Sequence, residues 1–503
     1  MLLIFPPVAK PGEPPAGIAK LAGALKRHAI PCHLLDMNLE GLLYLLDQPL
    51  AAIDTWTRRA ARNRAVNIAA LRTPSTYLSL DRYSRAVSDV NRVLEVAGKK
   101  SGVMLSLADY QEEQRAPVRS RDLIDAAGHP EQNIFYSYFS RRLQEVLGKT
   151  VPSHVGFSLN YLSQALCTFS MIGFLRKEFP DVKIVLGGGL VTSWMRRPGS
   201  KNLFEGLVDH LVAGPGENAL LSLLGATRSQ EHCPPDFSSL PLGSYFSPGF
   251  VLPYAGSSGC SWNRCSFCPE TAEGNPYFPV APAHALADIA HVAGKDRPVL
   301  LHLLDNAVSP SLMRALAADP PGVPWYGFAR IGRELADPDF CAALKRSGCA
   351  LLKLGLESGD QEVLDALQKG IDLETASQAL RNLSRAGIAS YVYLLFGTPV
   401  ETVGKARKTL DFVLRHRDCI TFLNLAVFNM PAFGTEAGSY DASPFYEGDL
   451  SLYTAFRHPR GWERRQVREF LDNEFKRDPA VAAIVKNDPP LFTSNHAPFF
   501  GQH

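Results

Sequence analysis

The chain has 503 residues, of which 46% are hydrophobic and 20% are charged, and its formal net charge is +2. This apolar content is ordinary for globular domains with large cores, and the length suggests roughly three such domains. The nearly balanced charge argues against a general nucleic-acid partner, which a basic excess or stripe would indicate.

Nothing in the sequence predicts a targeting or membrane segment. Residues 1–7 read Met-Leu-Leu-Ile-Phe-Pro-Pro, which lacks the charged leader of a signal peptide. No window reaches 18 uninterrupted apolar residues, so we expect no membrane span. The nine cysteines are odd in number and mostly scattered, which is typical of a reducing compartment. We therefore expect a cytoplasmic protein.

Residues 1–225 alternate short apolar runs with helical periodicity. We predict strands near 2–5, 32–35, 155–159, 183–186 and 210–213. This pattern indicates an N-terminal Rossmann-like domain, with a parallel sheet covered on both faces. Residues 40–150 interrupt the rhythm and are too long for a bare loop, so we predict a mostly helical insertion. The proline- and serine-rich residues 226–250 predict a linker.

From residue 251 the alternation of strands and helices is regular. We predict strands near 251–255, 298–304, 324–329, 350–356, 389–396 and 420–427, with helices near 281–293, 309–318, 337–347, 373–386 and 402–415. Six βα units over 251–430 indicate a partial (β/α)6 barrel, because a full eightfold barrel needs about 250 residues. Chemistry in such folds lies at the C-terminal ends of the strands. Residues 431–503 predict a mainly helical C-terminal extension, and the whole chain is α/β.

Three cysteines follow the first barrel strand within nine residues, at Cys260, Cys265 and Cys268. A complete cubane iron–sulfur cluster needs four protein ligands, so three leave one iron open to bind a substrate or cofactor directly. The alternative is a zinc site of three cysteines and one histidine in a protein that is not an enzyme. The nearest downstream histidine, His284, lies far outside zinc-finger spacing.

The spacing C-x4-C-x2-C, with Phe267 before the last cysteine, resembles the signature of the radical S-adenosylmethionine (SAM) enzymes. Their commonest form has one residue fewer in the first gap. Gly-Leu-Glu-Ser-Gly at 355–359 and Gly-Thr-Pro at 397–399, followed by Glu401-Thr402, extend the resemblance over about 251–430. The resemblance implies a [4Fe-4S] cluster on the three cysteines and SAM binding by Phe267, Asn306, Arg330, Glu357, Ser358 and Gly397.

The implied chemistry is reductive cleavage of SAM to a 5′-deoxyadenosyl radical, with an electron donor such as flavodoxin or ferredoxin. Glu357 would accept hydrogen bonds from the SAM ribose or ammonium group. Arg330 would hold the SAM carboxylate through a charge-assisted bond. Two simpler roles remain open: Arg330 in a salt bridge, and Glu357 at the positive end of the next helix.

Several predicted strands of the N-terminal domain end in characteristic residues: Pro6-Pro7, Ser158 with Asn160-Tyr161, Gly187-Gly188-Gly189, and Gly214-Pro215-Gly216-Glu217. With these residues the domain resembles the cobalamin-binding domain that often precedes such barrels. The resemblance implies cobalamin contacts from Pro7, Ser158, Asn160, Tyr161, Gly187, Gly188, Gly189, Gly214, Gly216 and Glu217. Glycines at strand ends let a large planar ligand approach the backbone, and open parallel sheets bind ligands at that edge. The motif Asp-x-His-x-x-Gly, which supplies an axial histidine, reads Asp36-Met37-Asn38-Leu39-Glu40-Gly41 here. We therefore expect no histidine ligation; the alternative is a domain that has lost its ligand.

Together these features predict cobalamin-dependent methylation of an unactivated carbon on a small-molecule or peptide substrate. The alternatives are a radical SAM rearrangement, cyclisation or oxidation without methyl transfer, and a zinc-binding protein. Methylthio transfer is disfavoured because Cys32, Cys167 and Cys233 are too scattered for a second cluster. No catalytic acid or base is assigned. The aromatic C-terminus could dock onto the barrel mouth, where His458 or His496 could serve as an acid or base.

Overall fold

The computed structural model describes every residue except 51–53, 198, 200, 228–231, 435, 491–495 and 501–503. The chain divides into two compact units. The first contains Met1–Val251 and Tyr446–Ser451, and the second contains Leu252–Phe445, Leu452–Pro489 and residues 496–500. Among the described residues, no helix is long and apolar enough to cross a membrane.

The first unit is built on a parallel sheet of five strands, which confirms the predicted Rossmann-like fold. In chain order the strands are Leu2–Phe5, His33–Asp36, His154–Ser158, Lys183–Gly187 and His210–Leu211. Their spatial order is second, first, third, fourth, fifth. The helices that accompany them are Ala16–Arg27, Met37–Asp47, Leu162–Glu178, Gly189–Met195 and Glu217–Leu223. Most strand residues are apolar, with polar residues only at strand ends, as expected for a parallel sheet that helices cover.

The helical segment between the second and third strands includes a small hairpin. Its helices are Thr55–Leu71, Leu80–Lys99, Ser120–Gly128 and Tyr136–Leu147, and the antiparallel strands are Val103–Leu105 and Tyr110–Glu112. Helix Leu80–Lys99 begins at Ser79, whose hydroxyl accepts from the Arg82 N–H, and it buries one side only. The chain after residue 235 packs within the first unit: Phe237 and Phe246 are buried, and Tyr245 donates to Asp36.

The main sheet of the second unit has six strands whose spatial order follows their order in the chain, as the sequence predicts for a partial barrel. The first of them, Val251–Tyr254, begins at the residue that ends the Met1–Val251 segment of the first unit. The others are Leu300–Leu303, Trp325–Ala329, Cys349–Glu357, Ala389–Phe396 and Phe422–Val427. The helices that follow them are Pro282–Asp296, Pro310–Ala318, Pro338–Arg346, Gln361–Ala366, Leu373–Ala386 and Val403–Arg415. Most of these helices begin after a side chain that accepts a backbone N–H, namely Ser309, Asp337, Asp360, Asp372 or Thr402.

Beyond the barrel, the chain forms a three-stranded antiparallel sheet and then helices. The strands are Met430–Pro431, Ala442–Pro444 and Tyr453–Phe456. The helices are Arg464–Phe470, which continues as a π-helical turn over Leu471–Phe475, and Pro479–Lys486.

The described C-terminal residues dock at the end of the barrel opposite to the one we predicted. The His496 ring stacks on Tyr391 at 4.4 Å between centroids and packs edge-on against Phe422 at 4.5 Å. Both partners lie near the N-terminal ends of their strands, whereas the chemistry of such barrels lies at the C-terminal ends. His496 is buried and bonds to Asp488 at 2.5 Å. The expected docking on the mouth is therefore wrong, and His496 is not an acid or base for the site.

Candidate active site

The cysteine loop is anchored where it leaves the first barrel strand. Buried Asp305, just beyond the second strand, accepts from the Gly256 N–H at 3.0 Å and from the Ser257 hydroxyl at 2.5 Å. Residues Ser257–Ser258 also pair with Phe278–Pro279 as a short antiparallel ladder, which closes the loop at its far side. These contacts place the three cysteines at the C-terminal end of the barrel.

The three thiols lie close enough to influence one another electrostatically. Cys265 and Cys260 both act on the thiol of Cys268. Burial raises the pKa of Cys268 to about 11, although the backbone N–H groups of residues 270 and 271 oppose the shift. Burial also raises the pKa of Cys265, against the attraction of Lys369 and Arg330. A bound metal centre would supply the positive charge that stabilises thiolates in such a buried place.

The donor set consists of three thiols in one loop, which are the ligands of iron–sulfur clusters. Among the described residues, no group of three or more His, Cys, Asp or Glu side chains is placed to hold one ion. Zinc requires its four ligands around one centre. The three thiolates of a cubane bind three different irons, so they need not converge on one point. Cys260, Cys265 and Cys268 can hold such a cluster and leave its fourth iron open.

Arg330, at the end of the third barrel strand, is fixed beside the cysteine loop. Its Nη2 donates to the carbonyl oxygens of Lys369 and Gly370, the latter at 2.9 Å. Its guanidinium carbon lies 3.9 Å from the ring centroid of Trp262. Trp262 in turn donates its indole N–H to the Gln368 carbonyl at 3.0 Å. Residues 367–370 therefore bind both the cysteine loop and the end of the third strand.

Glu357, at the end of the fourth barrel strand, forms a mostly buried ion pair with Lys369. The Nζ of Lys369 lies 2.8 Å from Oε1 of Glu357, and each side chain is 12% exposed. Lys369 also lies 5.5 Å from the ring centroid of Phe267. The backbone of Glu357 has a φ of +69°, an uncommon value for a residue with a side chain. Such a conformation is found where the surrounding structure enforces it, frequently at functional sites.

The other residues expected to bind SAM have different surroundings. Asn306 donates to the Gly259 carbonyl at 3.2 Å and so contacts the cysteine loop. Gly397, with a φ of +82°, donates its N–H to Oε2 of the buried Glu401 at 2.5 Å. Ser358 is fully buried, and its hydroxyl lies 3.2 Å from that of Thr409. Ser358 therefore contacts an outer helix, whereas Asn306 and Phe267 lie beside the cysteines.

His458 is fully engaged in hydrogen bonds. Its Nε2 lies 2.8 Å from the Thr398 carbonyl, and its Nδ1 accepts from the N–H groups of Arg460 and Trp462. Burial lowers the pKa of this imidazole. These bonds assign His458 to holding the loop after the fifth strand, with no nitrogen left for proton transfer.

In the first unit, Asn38 stands at the position where the cobalamin motif has histidine, and it serves a structural purpose. Its Oδ1 accepts from the Ala9 N–H at 2.8 Å, and the residue is buried. The neighbouring Asp36 caps a helix through Leu39 N–H at 2.9 Å and accepts from Tyr245 at 2.7 Å. Burial raises the pKa of Asp36 to about 6. Asn38 thus holds the loop that follows the first strand.

Polar groups gather at the C-terminal edge of the first unit's sheet. Asn160 donates to Ser158 at 3.1 Å and accepts from the Gly189 N–H at 2.9 Å. Gln164 accepts from the Asn160 N–H at 2.9 Å and donates to the Pro6 carbonyl at 2.7 Å, next to buried Pro7. Together these bonds link the ends of the first, third and fourth strands. Tyr161 is exposed at this edge, with 56% of its surface accessible to solvent.

The glycines at this edge differ in what they leave room for. A Cβ on Gly188 would lie 2.4 Å from the Leu159 carbonyl oxygen, and the residue has a φ of +108°. Gly188 is therefore required for close packing against the backbone of Leu159. A Cβ on Gly189 would meet nothing closer than Asn160 at 3.7 Å, and one on Gly214 would meet nothing within 4 Å.

The remaining predicted residues have local partners. Gly187 lies against Val212, where an added Cβ would come within 3.4 Å of the carbonyl oxygen. Gly216 lies beside Leu21, and Glu217 pairs with Lys20 at 2.9 Å. Two residues beside the cysteines, Trp262 and Lys369, were not among those predicted. The sequence feature that could have indicated Trp262 is an aromatic side chain within the lengthened gap between Cys260 and Cys265.

Comparison with known families agrees with this geometry. Residues 254–413 match the model of the Radical SAM superfamily. The resemblance stated from the cysteine spacing and the strand-end motifs is thereby confirmed for the barrel.

Solved structures share the fold over nearly the whole chain. One match is TsrM from Kitasatospora setae, a radical SAM methyltransferase solved with its tryptophan substrate and a SAM analogue. The match has a TM-score of 0.60 and covers 98% of this chain and 92% of the TsrM chain. A second TsrM structure, with cobalamin and a [4Fe-4S] cluster bound, has a TM-score of 0.54 and covers 88% and 77%. OxsB with aqua-cobalamin has a TM-score of 0.57 and covers 91% and 64%. Identities of 13–15% limit this likeness to the fold.

A curated relative matches part of the chain. The bacteriochlorophyllide d C-12(1)-methyltransferase of Chlorobaculum tepidum is 28% identical over 197 residues. The match covers 37% of this chain and 42% of that enzyme, so it spans less than half of the relative.

Proposed function

We propose that this protein is a cobalamin-dependent radical SAM enzyme that methylates an unactivated carbon of a small-molecule or peptide substrate. The observation that carries the proposal is the loop with Cys260, Cys265 and Cys268 at the C-terminal end of a six-stranded barrel, beside Arg330 and the Glu357–Lys369 pair. The fold shared with TsrM and OxsB supports it.

The cysteines would hold a [4Fe-4S] cluster with one open iron. When bound, the cluster supplies an electron to the SAM sulfonium, and cobalamin supplies a carrier for the methyl group. The chain contributes the three thiolates, of which Cys265 is buried and the other two are partly buried. The electron would come from a small redox protein such as flavodoxin or ferredoxin.

SAM would bind at the neighbouring strand ends. Its ammonium group and ribose hydroxyls are donors from which the Glu357 carboxylate can accept, while the ion pair with Lys369 holds that carboxylate in place. Gly397, which has a positive φ and no side chain, would let a planar ring such as adenine approach the backbone at the end of the fifth strand. Phe267 and Asn306 complete the predicted set beside the cysteines.

Cobalamin would bind at the C-terminal edge of the first unit's sheet. The five strands of this sheet lie in the order 2-1-3-4-5, and parallel sheets with this strand order bind their ligands at the C-terminal edge. Gly189 and Gly214 leave open space there, and Asn160 and Ser158 offer polar groups. Asn38 is committed to Ala9, so the chain would give cobalt no nitrogen ligand from this position.

The test is product analysis of SAM turnover by protein purified without oxygen from cells supplied with cobalamin. We expect bound cobalamin, S-adenosylhomocysteine and 5′-deoxyadenosine, and label from methyl-deuterated SAM in the substrate. Cleavage of SAM without bound cobalamin would instead favour rearrangement, cyclisation or oxidation. A colourless protein that binds zinc and leaves SAM intact would overturn the proposal.

A further inference from the structure

The additional residue in the first cysteine gap accompanies a turn that brings an indole to Arg330. Asn263 has a φ of +42°, which turns the chain between Cys260 and Cys265 through the left-handed region. Trp262, just before this turn, has its ring centroid 3.9 Å from the guanidinium carbon of Arg330. At this distance an arginine and an indole attract each other through a cation–π interaction.

The indole and the guanidinium are held by one segment of backbone. Trp262 donates to the carbonyl of Gln368, and Arg330 donates to those of Lys369 and Gly370. The segment fits closely: a Cβ on Gly370 would come within 2.3 Å of the Trp262 ring. Because both groups are tied to consecutive carbonyls, the guanidinium has little freedom to move away from the cysteines.

The positive charge of Arg330 interacts with the sulfur atoms of two cysteines in the loop, Cys265 and Cys260. In the part of the chain that the structure describes, no carboxylate lies within ion-pair distance of its guanidinium. The groups that attract it electrostatically are Cys265 and Cys260. Arg330 is partly buried, so water screens the interaction less than at an open surface.

We propose that Trp262 is a positioning residue that holds the Arg330 guanidinium beside Cys260 and Cys265 and thereby raises the reduction potential of their cluster. Reduction adds a negative charge to the cluster, and a fixed cation near its sulfurs stabilises that charge. The inference rests on the proposed function only in that the three cysteines must hold a cluster. It assigns Arg330 a role besides the SAM contact predicted from the sequence.

The experiment is a redox titration of the cluster, followed by its electron paramagnetic resonance signal, in the full-length protein without SAM. Arg330→Gln removes the charge, Trp262→Leu removes the aromatic face, and Trp262→Phe keeps a face but loses the bond to Gln368. Arg264→Gln is the matched control, because Arg264 lies 5.1 Å from the same ring but is exposed. Iron content is measured for each protein first.

We expect Arg330→Gln and Trp262→Leu to lower the potential by an amount equivalent to about a tenfold change in the reduced-to-oxidised ratio, which is about 59 mV for one electron. Trp262→Phe should shift it less, and Arg264→Gln should leave it near the original value. Potentials unchanged in iron-loaded Arg330→Gln and Trp262→Leu would overturn the inference. Loss of the cluster in Trp262→Leu would also overturn it, by assigning Trp262 to loop folding. Absence of iron from the unsubstituted protein would instead refute the proposed function.

Discussion

The ammonium group of Lys369 lies 2.8 Å from Oε1 of Glu357, beside the ring of Phe267 in the cysteine loop. Both side chains are mostly buried, so the pair is much less screened than a surface salt bridge. The pair thus joins the end of the fourth strand to the loop that carries the cysteines, and it presents a carboxylate where SAM is proposed to bind.

Glu357→Ala should weaken SAM binding by about 1–3 kcal/mol, the range for a lost hydrogen bond to a charged group. Iron content should stay unchanged, because Glu357 is not a cluster ligand in this account. Glu362→Ala is the matched control, since that carboxylate also pairs with a lysine but is 77% exposed. Calorimetric titration with SAM on the iron-loaded proteins measures the effect. If the unsubstituted protein, Glu357→Ala and Glu362→Ala bound SAM with equal affinity, Glu357 would not belong to the SAM site.

The buried carboxyl of Glu401 should make stability depend on pH. Burial raises its pKa to about 7 from 4.5. The folded protein therefore holds this proton more tightly than the unfolded chain, so the stabilisation is complete below pH 4.5 and is lost as the pH rises through 7. The difference corresponds to about 3 kcal/mol.

Glu401→Gln removes this titration while it keeps an oxygen for Gly397 and Trp462. The midpoint of thermal unfolding of the variant, relative to that of the unsubstituted protein, should rise between pH 5 and pH 7.5. A relative midpoint that stays constant over this range would show that Glu401 does not titrate there.

Gly189→Trp should expel cobalamin without unfolding the first unit. The open space above this residue is where the proposed ligand would lie, and a Cβ there makes only ordinary contact. Gly189→Ala is the control and should retain the cofactor. Cobalt content after purification, with thermal unfolding of the cobalamin-free proteins, separates the two effects. Stoichiometric cobalamin in Gly189→Trp would place the cofactor elsewhere.

Asn38→Ala should retain cobalamin but lose stability. Removing the Oδ1 acceptor leaves the Ala9 N–H buried without its partner, which costs about 1–3 kcal/mol. The reduced Co(II) form should show no splitting by a protein nitrogen in its electron paramagnetic resonance spectrum, in both proteins. Nitrogen splitting that disappears in Asn38→Ala would contradict the assignment.

The sequence predicts the regular elements well and the contacts between distant segments poorly. The fifth barrel strand has its predicted bounds, Ala389–Phe396, because a short run rich in aromatic and aliphatic residues between Gly387 and Gly397 favours a buried strand. Periodicity cannot show that Trp262 meets Arg330, since that contact depends on how the backbone at 368–370 turns. Nor can it choose an end of the barrel for His496, because an aromatic tail suits any apolar surface.

The cluster is the central claim, and iron content tests it most directly. Protein purified without oxygen should contain about four irons per chain with a brown absorbance near 400 nm, and the variant with alanine at Cys260, Cys265 and Cys268 should contain none of this iron. The same variant should leave SAM intact. Full iron content in the triple variant, or zinc in place of iron in the unsubstituted protein, would contradict the account.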